Sequence, residues 1–290
     1  MSGSTRREFL GIAAATAAVG ALPPGRAWAR AESGLPPKAP FALGIASYTF
    51  RSFPLEQALA MTARLGVPRI TLKDMHLPMA VTAPEMEGVR AKIKDAGVEL
   101  SSCGVIYMKS EEDVHKAFAY AQLAGISMMV GVPAVALLPL TERKVKETGI
   151  SVAIHNHGPD NPLYPSPESA YRAVEKMDRR LGLCVDVGHT QRLGLDPAAE
   201  IEKYFDRLLD VHVKDVSGSD AKGTTVEIGR GVIDTPALLK TLVRLGYSRT
   251  IHFEHEKDAK DPFPGLAESV GYVRGVLAAA PSALQSSRHR

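Results

Sequence analysis

Four residues of metal-ligand type each stand at the end of a short apolar segment. They are His155 after Ser151-Val-Ala-Ile, Asp186 after Leu181-Gly-Leu-Cys-Val, His212 after Leu208-Leu-Asp-Val, and Glu254 after Thr250-Ile-His-Phe. Two imidazoles with two carboxylates favour Mn, Co, Fe or Zn over Mg or Ca, and the carboxylates balance the charge of a divalent ion. Such an ion can polarise a carbonyl group and stabilise the negative charge formed when a neighbouring proton leaves. The four residues therefore predict a metal centre for carbonyl chemistry.

The intervals between these residues indicate how the chain brings them together. Each interval is long enough for a helix and two loops, which is the usual connection between successive parallel strands. Apolar segments of strand length alternate with segments of helical period along the chain. The predicted strands are 43–48, 69–73, 98–104, 127–132, 151–155, 181–186, 208–212 and 250–254, and the predicted helices with assigned limits are 55–65, 84–96, 111–123, 140–148, 168–181, 235–245 and 264–277. This alternation predicts an α/β fold, a single-domain (β/α)8 TIM barrel over residues 41–280, rather than a doubly wound sheet.

Two further histidines lie close to the predicted metal ligands. His157 is two residues beyond His155, and residues at that spacing share one side of a strand, so either histidine can be the ligand. His189 lies three residues after Asp186 and is expected to contact a substrate hydroxyl or to support a ligand. All of these groups belong at the carboxyl ends of the barrel strands, which form the active face of such barrels.

Other polar residues near strand ends have alternative roles. Lys73 and His76 follow the second predicted strand and can bind substrate or simply lie on the loop surface. Lys214 can hold an oxyanion or pair with Asp215. His252, in the last predicted strand, is expected to point away from the site and to be structural.

Three motifs and one strand end carry a resemblance to a known family. They are Val185-Asp186-Val-Gly-His189, Val211-His212-Val-Lys214-Asp215, Gly229-Arg230-Gly231-Val-Ile-Asp234, and Glu254. In this order, over about residues 42–278, they resemble the sugar phosphate isomerase/epimerase group of xylose isomerase-like TIM barrels. The same superfamily contains inosose dehydratases, ketose 3-epimerases and endonuclease IV. The resemblance implies a divalent metal held by a strand-five glutamate and by Asp186, His212 and Glu254, with Arg230 facing the substrate.

The chain departs from the family pattern at the fifth strand. His155 stands there, in Ile154-His155-Asn156-His157-Gly158, where the family more often has glutamate. In the epimerases the strand-five and strand-eight glutamates are the acid/base groups on opposite faces of the substrate. Glu254 is then the remaining carboxylate of that pair, and His155 or His157 becomes the candidate for the second catalytic group.

The resulting prediction is a divalent-metal-dependent sugar isomerase or epimerase. It would remove a proton next to a carbonyl of a non-phosphorylated ketosugar or related carbohydrate. The first alternative is a metal-dependent lyase or dehydratase on a keto-sugar or keto-glycoside, because elimination needs only one base and an acid for the leaving group. The second alternative is a non-catalytic periplasmic sugar-binding or subunit protein that keeps the barrel.

The amino-terminal residues have the pattern of an export signal. Arg6 and Arg7 precede a weakly apolar run, and Ala27-Trp28-Ala29 has the small-x-small pattern of a cleavage site. We expect residues 1–29 to be a twin-arginine signal, 30–40 a linker and 281–290 a disordered tail. The mature protein would be periplasmic or secreted, and this location argues against a phosphorylated cytosolic substrate. Cleavage would lower the net charge from +3 to +1.

Charge and hydrophobicity argue against other partners. A nearly neutral mature chain does not suit nucleic acid, so the endonuclease branch of the superfamily is disfavoured. After signal cleavage no segment suits a membrane. The two cysteines, Cys103 and Cys184, fall in predicted strands on opposite sides of the barrel and are expected to be buried thiols. The expected partner is a small-molecule carbohydrate, and a homo-oligomer is compatible with the sequence.

Overall fold

Eight parallel strands close into a barrel in the computed structural model, which describes residues 39–279. The order around the barrel is β1-β10-β7-β6-β5-β4-β3-β2. The barrel strands are β1 (Ala42–Ala46), β2 (Arg69–Leu72), β3 (Glu99–Met108), β4 (Met128–Pro133), β5 (Ser151–His155), β6 (Leu181–Asp186), β7 (Leu208–Val213) and β10 (Thr250–Phe253), and a short antiparallel pair, β8 (Asp215–Val216) and β9 (Thr225–Val226), follows β7. The predicted single-domain (β/α)8 barrel is confirmed. The predicted export signal, residues 30–38 of the predicted linker and the predicted tail lie outside the described residues.

Helices connect the strands and cover the outside of the barrel. They are α1 (Leu55–Arg64), α2 (Ala83–Asp95), α3 (Glu111–Ala124), α4 (Leu138–Thr148), α5 (Pro167–Val174), α6 (Val187–Gln191), α7 (Pro197–Lys203), α8 (Thr235–Arg244) and α9 (Phe263–Ala279). Local signals explain their limits. Ser110 accepts a hydrogen bond from Asp113 N at the start of α3, and Gly125 ends that helix in the left-handed conformation.

One helix ends earlier than its apolar period predicts. The predicted segment 168–181 is helical only as far as Val174. Asp178 then accepts hydrogen bonds from the backbone and side chain of Arg180, which forms a turn immediately before β6. Local hydrogen bonding of this kind competes with the helix.

The strands are buried on both faces, as expected for a parallel barrel covered by helices. Every residue of β4 and β6 is buried. Cys103 and Cys184 are both buried free thiols, as predicted. Among the described residues, no helix is long and apolar enough to cross a membrane.

The loop after β7 is organised by one buried carboxylate. Asp215 Oδ1 accepts hydrogen bonds from Val216 N and Ile233 N, and Oδ2 accepts from Gly229 N and Gly231 N. The approach at Gly231 is so close that a Cβ there would lie 2.2 Å from Asp215 Oδ1. The motif that begins at Gly229 therefore surrounds the Asp215 carboxylate with backbone amide donors.

His76 joins the loops that follow β1 and β2. Its Nδ1 lies 3.0 Å from Ser47 Oγ and its Nε2 lies 2.9 Å from the carbonyl oxygen of Phe53. Because that carbonyl can only accept, Nε2 carries the proton and Nδ1 accepts from the Ser47 hydroxyl. Burial lowers the pKa of His76, so the folded protein keeps this imidazole neutral.

Replacing Asp215 should loosen the loop after β7. In Asp215→Asn one acceptor oxygen becomes an NH2 group, which leaves amide donors of the loop unpaired. Each unpaired buried donor costs about 1–3 kcal/mol, so we expect the free energy of unfolding in urea to fall by about 2 kcal/mol or more. Asp220→Asn is the control, because exposed Asp220 accepts, among residues 39–279, a side-chain hydrogen bond from Lys222 N alone. Equal stability of the two variants would contradict the role given to Asp215.

His76 should make stability fall at acid pH. Below its ordinary pKa of 6.5 this histidine takes up a proton in the unfolded chain but resists it when folded, so stability is lost as pH falls. The free energy of unfolding, measured at about pH 7.5 and about pH 5.5, should drop less in His76→Gln than in the wild type. If the free energy of unfolding drops equally in His76→Gln and in the wild type, groups other than His76 cause the acid sensitivity.

Candidate metal centre

The four predicted ligands meet at the carboxyl ends of four neighbouring strands. His155 ends β5, Asp186 ends β6, His212 lies in β7 and Glu254 follows β10. One ligand atom from each lies within 4.8 Å of all the others, and all four side chains are buried. The register of the sheet explains why two of these residues are close, because Asp186 pairs with His212 in the β6–β7 ladder. His155, and not His157, belongs to this group.

The donor atoms in this group suit a divalent transition-metal ion. His155 Nε2 lies 3.6 Å from Asp186 Oδ2, and His212 Nδ1 lies 3.4 Å from Glu254 Oε2. Within residues 39–279, neither ring nitrogen of His155 has a hydrogen-bond partner, and Asp186 Oδ2 makes no hydrogen bond although it forms an ion pair with Lys214. Buried polar atoms are rarely left unpaired, and two nitrogens with two carboxylates are a set that Zn, Mn, Fe or Co accepts.

Asp186 is oriented by the short helix that follows it. Its Oδ1 accepts a hydrogen bond from His189 N at the start of α6, which turns Oδ2 toward the other ligands. Its backbone is held as well, because Asp186 N donates to Asn156 Oδ1 and the Thr190 hydroxyl donates to Asp186 O. Sequence reasoning gave no role to Asn156, although its position between His155 and His157 placed it at the strand end.

Lys214 lies between the two carboxylates of the group. Its Nζ is 3.0 Å from Asp186 Oδ2 and 2.9 Å from Glu254 Oε2, and it also contacts Glu256. It does not pair with Asp215, whose oxygens are bound by backbone amides. Its stem packs over Gly188, where a Cβ would lie 2.4 Å from Lys214 Cγ. The glycine of the Asp-Val-Gly-His motif thus makes room for the lysine.

These charges stabilise one another in a dry environment. Burial alone would lower the pKa of Lys214, but the facing carboxylates raise it well above its ordinary value. Burial alone would raise the pKa of Glu254, but Lys214 and His212 hold it well below. The Asp186 pKa is also held low, against its burial, chiefly by Lys214. The ammonium and both carboxylates are therefore charged.

A cleft of about 400 Å³ opens above these residues, a size that suits a small molecule. Its lining includes Tyr107, His157 and His189 together with Glu254 and Lys214. The His157 and His189 rings have centroids 4.7 Å apart. Burial lowers the pKa of His157 to about 4 and that of His189 to about 3. Both rings are therefore neutral near pH 7 and can accept a proton or a hydrogen bond.

The predicted substrate-binding residues divide into two sets. His189, Lys214 and Lys73 line the cleft, and Lys73 Nζ lies 4.3 Å from the centroid of the Tyr48 ring. His76 is buried between loops beneath it. Arg230 is exposed, and its guanidinium pairs with Glu268 of α9. This corrects the expectation that Arg230 faces the substrate: its loop is turned outward by its bonds to Asp215.

The expectation that His252 points away from the site is wrong. Residues two apart share a face of a strand, so His252 and Glu254 project toward the same side. His252 pairs with His212 in the β7–β10 ladder, and its Nδ1 lies 2.8 Å from Asp210 Oδ1 inside the barrel. Asp210 and His252 each precede a predicted ligand by two residues, so the alternation of side chains along a strand could have placed both on the ligand side of the barrel.

One curated relative shares part of this chain. The rhizopine catabolism protein MocC of Rhizobium meliloti is 29% identical over 151 residues. The match covers 47% of this chain and 46% of MocC, so it spans about half of each protein.

Solved structures share the fold over most of the chain. An L-ribulose 3-epimerase is 17% identical with a TM-score of 0.67, covering 86% of this chain and 99% of its own. The IolI protein with a bound zinc atom is 16% identical with a TM-score of 0.66, covering 84% and 99%. The probable 3-DHS dehydratase AsbF of Bacillus anthracis is 13% identical with a TM-score of 0.63, covering 80% and 98%.

The family comparison covers seven of the eight barrel strands and the candidate metal centre. The xylose isomerase-like TIM barrel family matches residues 55–276, a range that holds all four convergent ligand residues and every residue of the cleft lining except Tyr48. With its closed eight-stranded barrel and this match over most of its length, the chain belongs to the xylose isomerase-like TIM barrel family.

Proposed function

We propose that this protein is a divalent-metal-dependent isomerase or epimerase of a non-phosphorylated ketosugar or related carbohydrate. The observation that carries the proposal is the buried convergence of His155, Asp186, His212 and Glu254, together with a cleft of about 400 Å³ whose lining includes Glu254. The fold shared with an L-ribulose 3-epimerase supports the choice of chemistry.

The four convergent residues would hold the metal. When bound, the ion would polarise the substrate carbonyl and stabilise the charge that develops as the neighbouring proton leaves. The zinc-bound IolI structure, which has the same fold, supports a transition metal at such a site. The donor set is compatible with Mn, Co, Fe or Zn.

Glu254 and His157 are the proposed acid/base pair. Glu254 is ionised and reaches the floor of the cleft, whereas His157 is neutral and lies in its wall. His155 turns its Nε2 toward Asp186, which leaves His157 as the imidazole free to take or return a proton. Tyr107 supports this, because its hydroxyl lies 3.4 Å from His157 Nδ1. His189 and Lys214 are placed to bind substrate oxygens.

A lyase is the second candidate, and the site's asymmetry favours it. With His155 in place of a carboxylate, the cleft holds the neutral imidazoles of His157 and His189 and one ligand carboxylate, that of Glu254. Elimination from a keto-sugar or keto-glycoside needs only one base and an acid for the leaving group. The fold is also shared with the probable dehydratase AsbF. The nature of the product distinguishes the two reactions.

The remaining predictions concern setting and partners. Export through the twin-arginine pathway to the periplasm or medium rests on residues 1–29, and it explains the preference for a non-phosphorylated substrate. A non-catalytic sugar-binding or subunit protein is the third reading. It would need neither a stoichiometric metal nor proton exchange.

Proton exchange tests the reaction directly. Protein loaded with Mn or Co is incubated with a panel of ketosugars in D2O, and the products are followed by NMR. We expect deuterium next to the carbonyl together with a second epimer or isomer. His157→Asn should slow the exchange about 100-fold or more, because an acid/base group is lost. Arg230→Gln, altered outside the cleft, is the matched control.

The outcomes of this experiment separate the three readings. Loss of water or of a glycoside group, in place of an epimer, would favour the lyase. Protein that keeps no metal and exchanges no proton with any sugar of the panel would contradict both enzymes and favour the non-catalytic reading.

Removing Lys214 should destabilise the metal-free protein and strengthen metal binding. In Lys214→Met the two carboxylates lose their internal counter-ion, and breaking a buried ion pair costs about 3–5 kcal/mol. Without the competing ammonium, we expect zinc affinity by titration calorimetry to rise about tenfold or more. Lys73→Met is the matched control, since this ammonium packs on the Tyr48 ring. Weaker zinc binding in Lys214→Met would show that the lysine supports the ligands instead of competing with the ion.

A further inference from the structure

Two buried polar side chains beneath the candidate metal centre have no part in the proposed reaction. Asp210 and His252 are both 0% exposed. They lie inside the barrel on β7 and just before the end of β10, two residues before His212 and Glu254 respectively. Burying a carboxylate in a barrel interior costs free energy unless hydrogen-bond donors or positive charges face it.

The contacts of Asp210 divide between its two oxygens. Oδ1 accepts from Val211 N and lies 2.8 Å from His252 Nδ1. Oδ2 lies 3.8 Å from His212 Nε2, and within residues 39–279 neither of these two atoms has a hydrogen-bond partner. One oxygen is therefore anchored, and the other is left facing a metal-ligand histidine.

The His212 ring has one nitrogen toward each of two carboxylates. Its Nδ1 faces Glu254 Oε2 and the rest of the metal group, while its Nε2 faces Asp210 Oδ2. A neutral imidazole binds metal through its unprotonated nitrogen, and the tautomer is set by the hydrogen bond that the other nitrogen makes.

His252 itself is held in a site shaped for it. Its Nε2 lies 2.8 Å from Ser101 Oγ on β3, across the barrel interior. On β1, a Cβ at Gly44 would lie 2.5 Å from His252 Cδ2, so the glycine provides the room that the ring occupies. Ser101 and Gly44, on two other strands, thus accommodate a histidine whose Nδ1 faces Asp210.

We propose that Asp210 is a positioning residue for the metal centre. Anchored by His252, it accepts the Nε2 proton of His212 and so presents Nδ1, unprotonated, to the ion. The inference rests on the proposed metal binding at His212. The 3.8 Å separation between His212 Nε2 and Asp210 Oδ2 is longer than a hydrogen bond, so the proposal requires these two atoms to come closer in the metal-loaded protein.

The same three side chains could instead form a second metal site. Asp210, His212 and His252 also have ligand atoms close together. The contacts disfavour this reading, because His252 Nδ1 is already bonded to Asp210 and because His212 would have to lose both ring protons to bridge two ions. The number of ions bound per chain distinguishes the two cases.

Zinc binding by titration calorimetry provides the first test. Loss of an outer-shell partner of a metal-ligating histidine weakens metal binding about 10- to 100-fold, which is the loss expected for Asp210→Ala. Asp210→Asn keeps an acceptor oxygen and should recover part of it, and His252→Gln should fall between the two. Ser102→Ala is the matched control, a buried polar residue on β3 whose hydroxyl donates to Thr71 and not to the metal group.

The tautomer of His212 provides a readout that general destabilisation does not change. In zinc-loaded protein carrying 15N-labelled histidine, NMR should show His212 protonated at Nε2 and bound through Nδ1. His252→Gln should alter this Nε2–H resonance, and Asp210→Asn should shift it.

Each outcome decides a different claim. Wild-type protein that binds no zinc would remove the proposed metal centre, and the role of Asp210 with it. Wild-type binding with unweakened Asp210→Ala, or with His212 bound through Nε2, would overturn the inference alone. Two ions per chain would favour the second site. If Asp210→Ala does not fold, the wild-type tautomer and the His252→Gln affinity still decide.

Discussion

The rest of the site depends on two carboxylates, those of Asp186 and Glu254, which are buried together at one end of the barrel. Negative charges in a dry environment must be faced by positive charge or by hydrogen-bond donors. Lys214 meets this condition in the metal-free protein by contacting both carboxylates and Glu256. A divalent ion bound by the same oxygens would meet it as well, and with Lys214 charged the three carboxylates would then be balanced.

Several backbone features exist to hold these charges in place. The Asp186 carboxylate both begins α6 and turns an oxygen to the ligand group, so the helix and the site depend on one side chain. Gly188 makes room for the Lys214 stem. The Asp215 carboxylate is bound by backbone amides of the loop that follows β7, so it does not pair with the Lys214 ammonium. Each feature satisfies a buried polar group while directing a neighbour into or away from the cleft.

The histidine at the end of β5 gives the site its particular character. His155 supplies an imidazole nitrogen where the family resemblance implies a carboxylate, so the ligand group holds two carboxylates instead of three. The burial that keeps His157 and His189 unprotonated then provides neutral bases beside an ionised Glu254. Proton transfer in such a cleft would take place between unlike groups, an imidazole and a carboxylate, and that difference is the reason that isomerisation and elimination both fit it.

The sequence by itself determined the barrel, its strand ends and the four residues that meet there. It could do so because apolar periodicity reports which segments are buried, and because parallel strands bring their carboxyl ends to one face whatever the details of packing. The outward position of Arg230, the burial of His76 and the partners of Lys214 were decided only by the tertiary structure. Those outcomes depend on strand register and on loops contacting residues far away in the chain, such as Arg230 with Glu268 or Lys214 with Glu254. Periodicity along one segment carries no information about which distant side chain will face it. The charged residues could therefore be identified from the sequence, but their ion-pair partners could not.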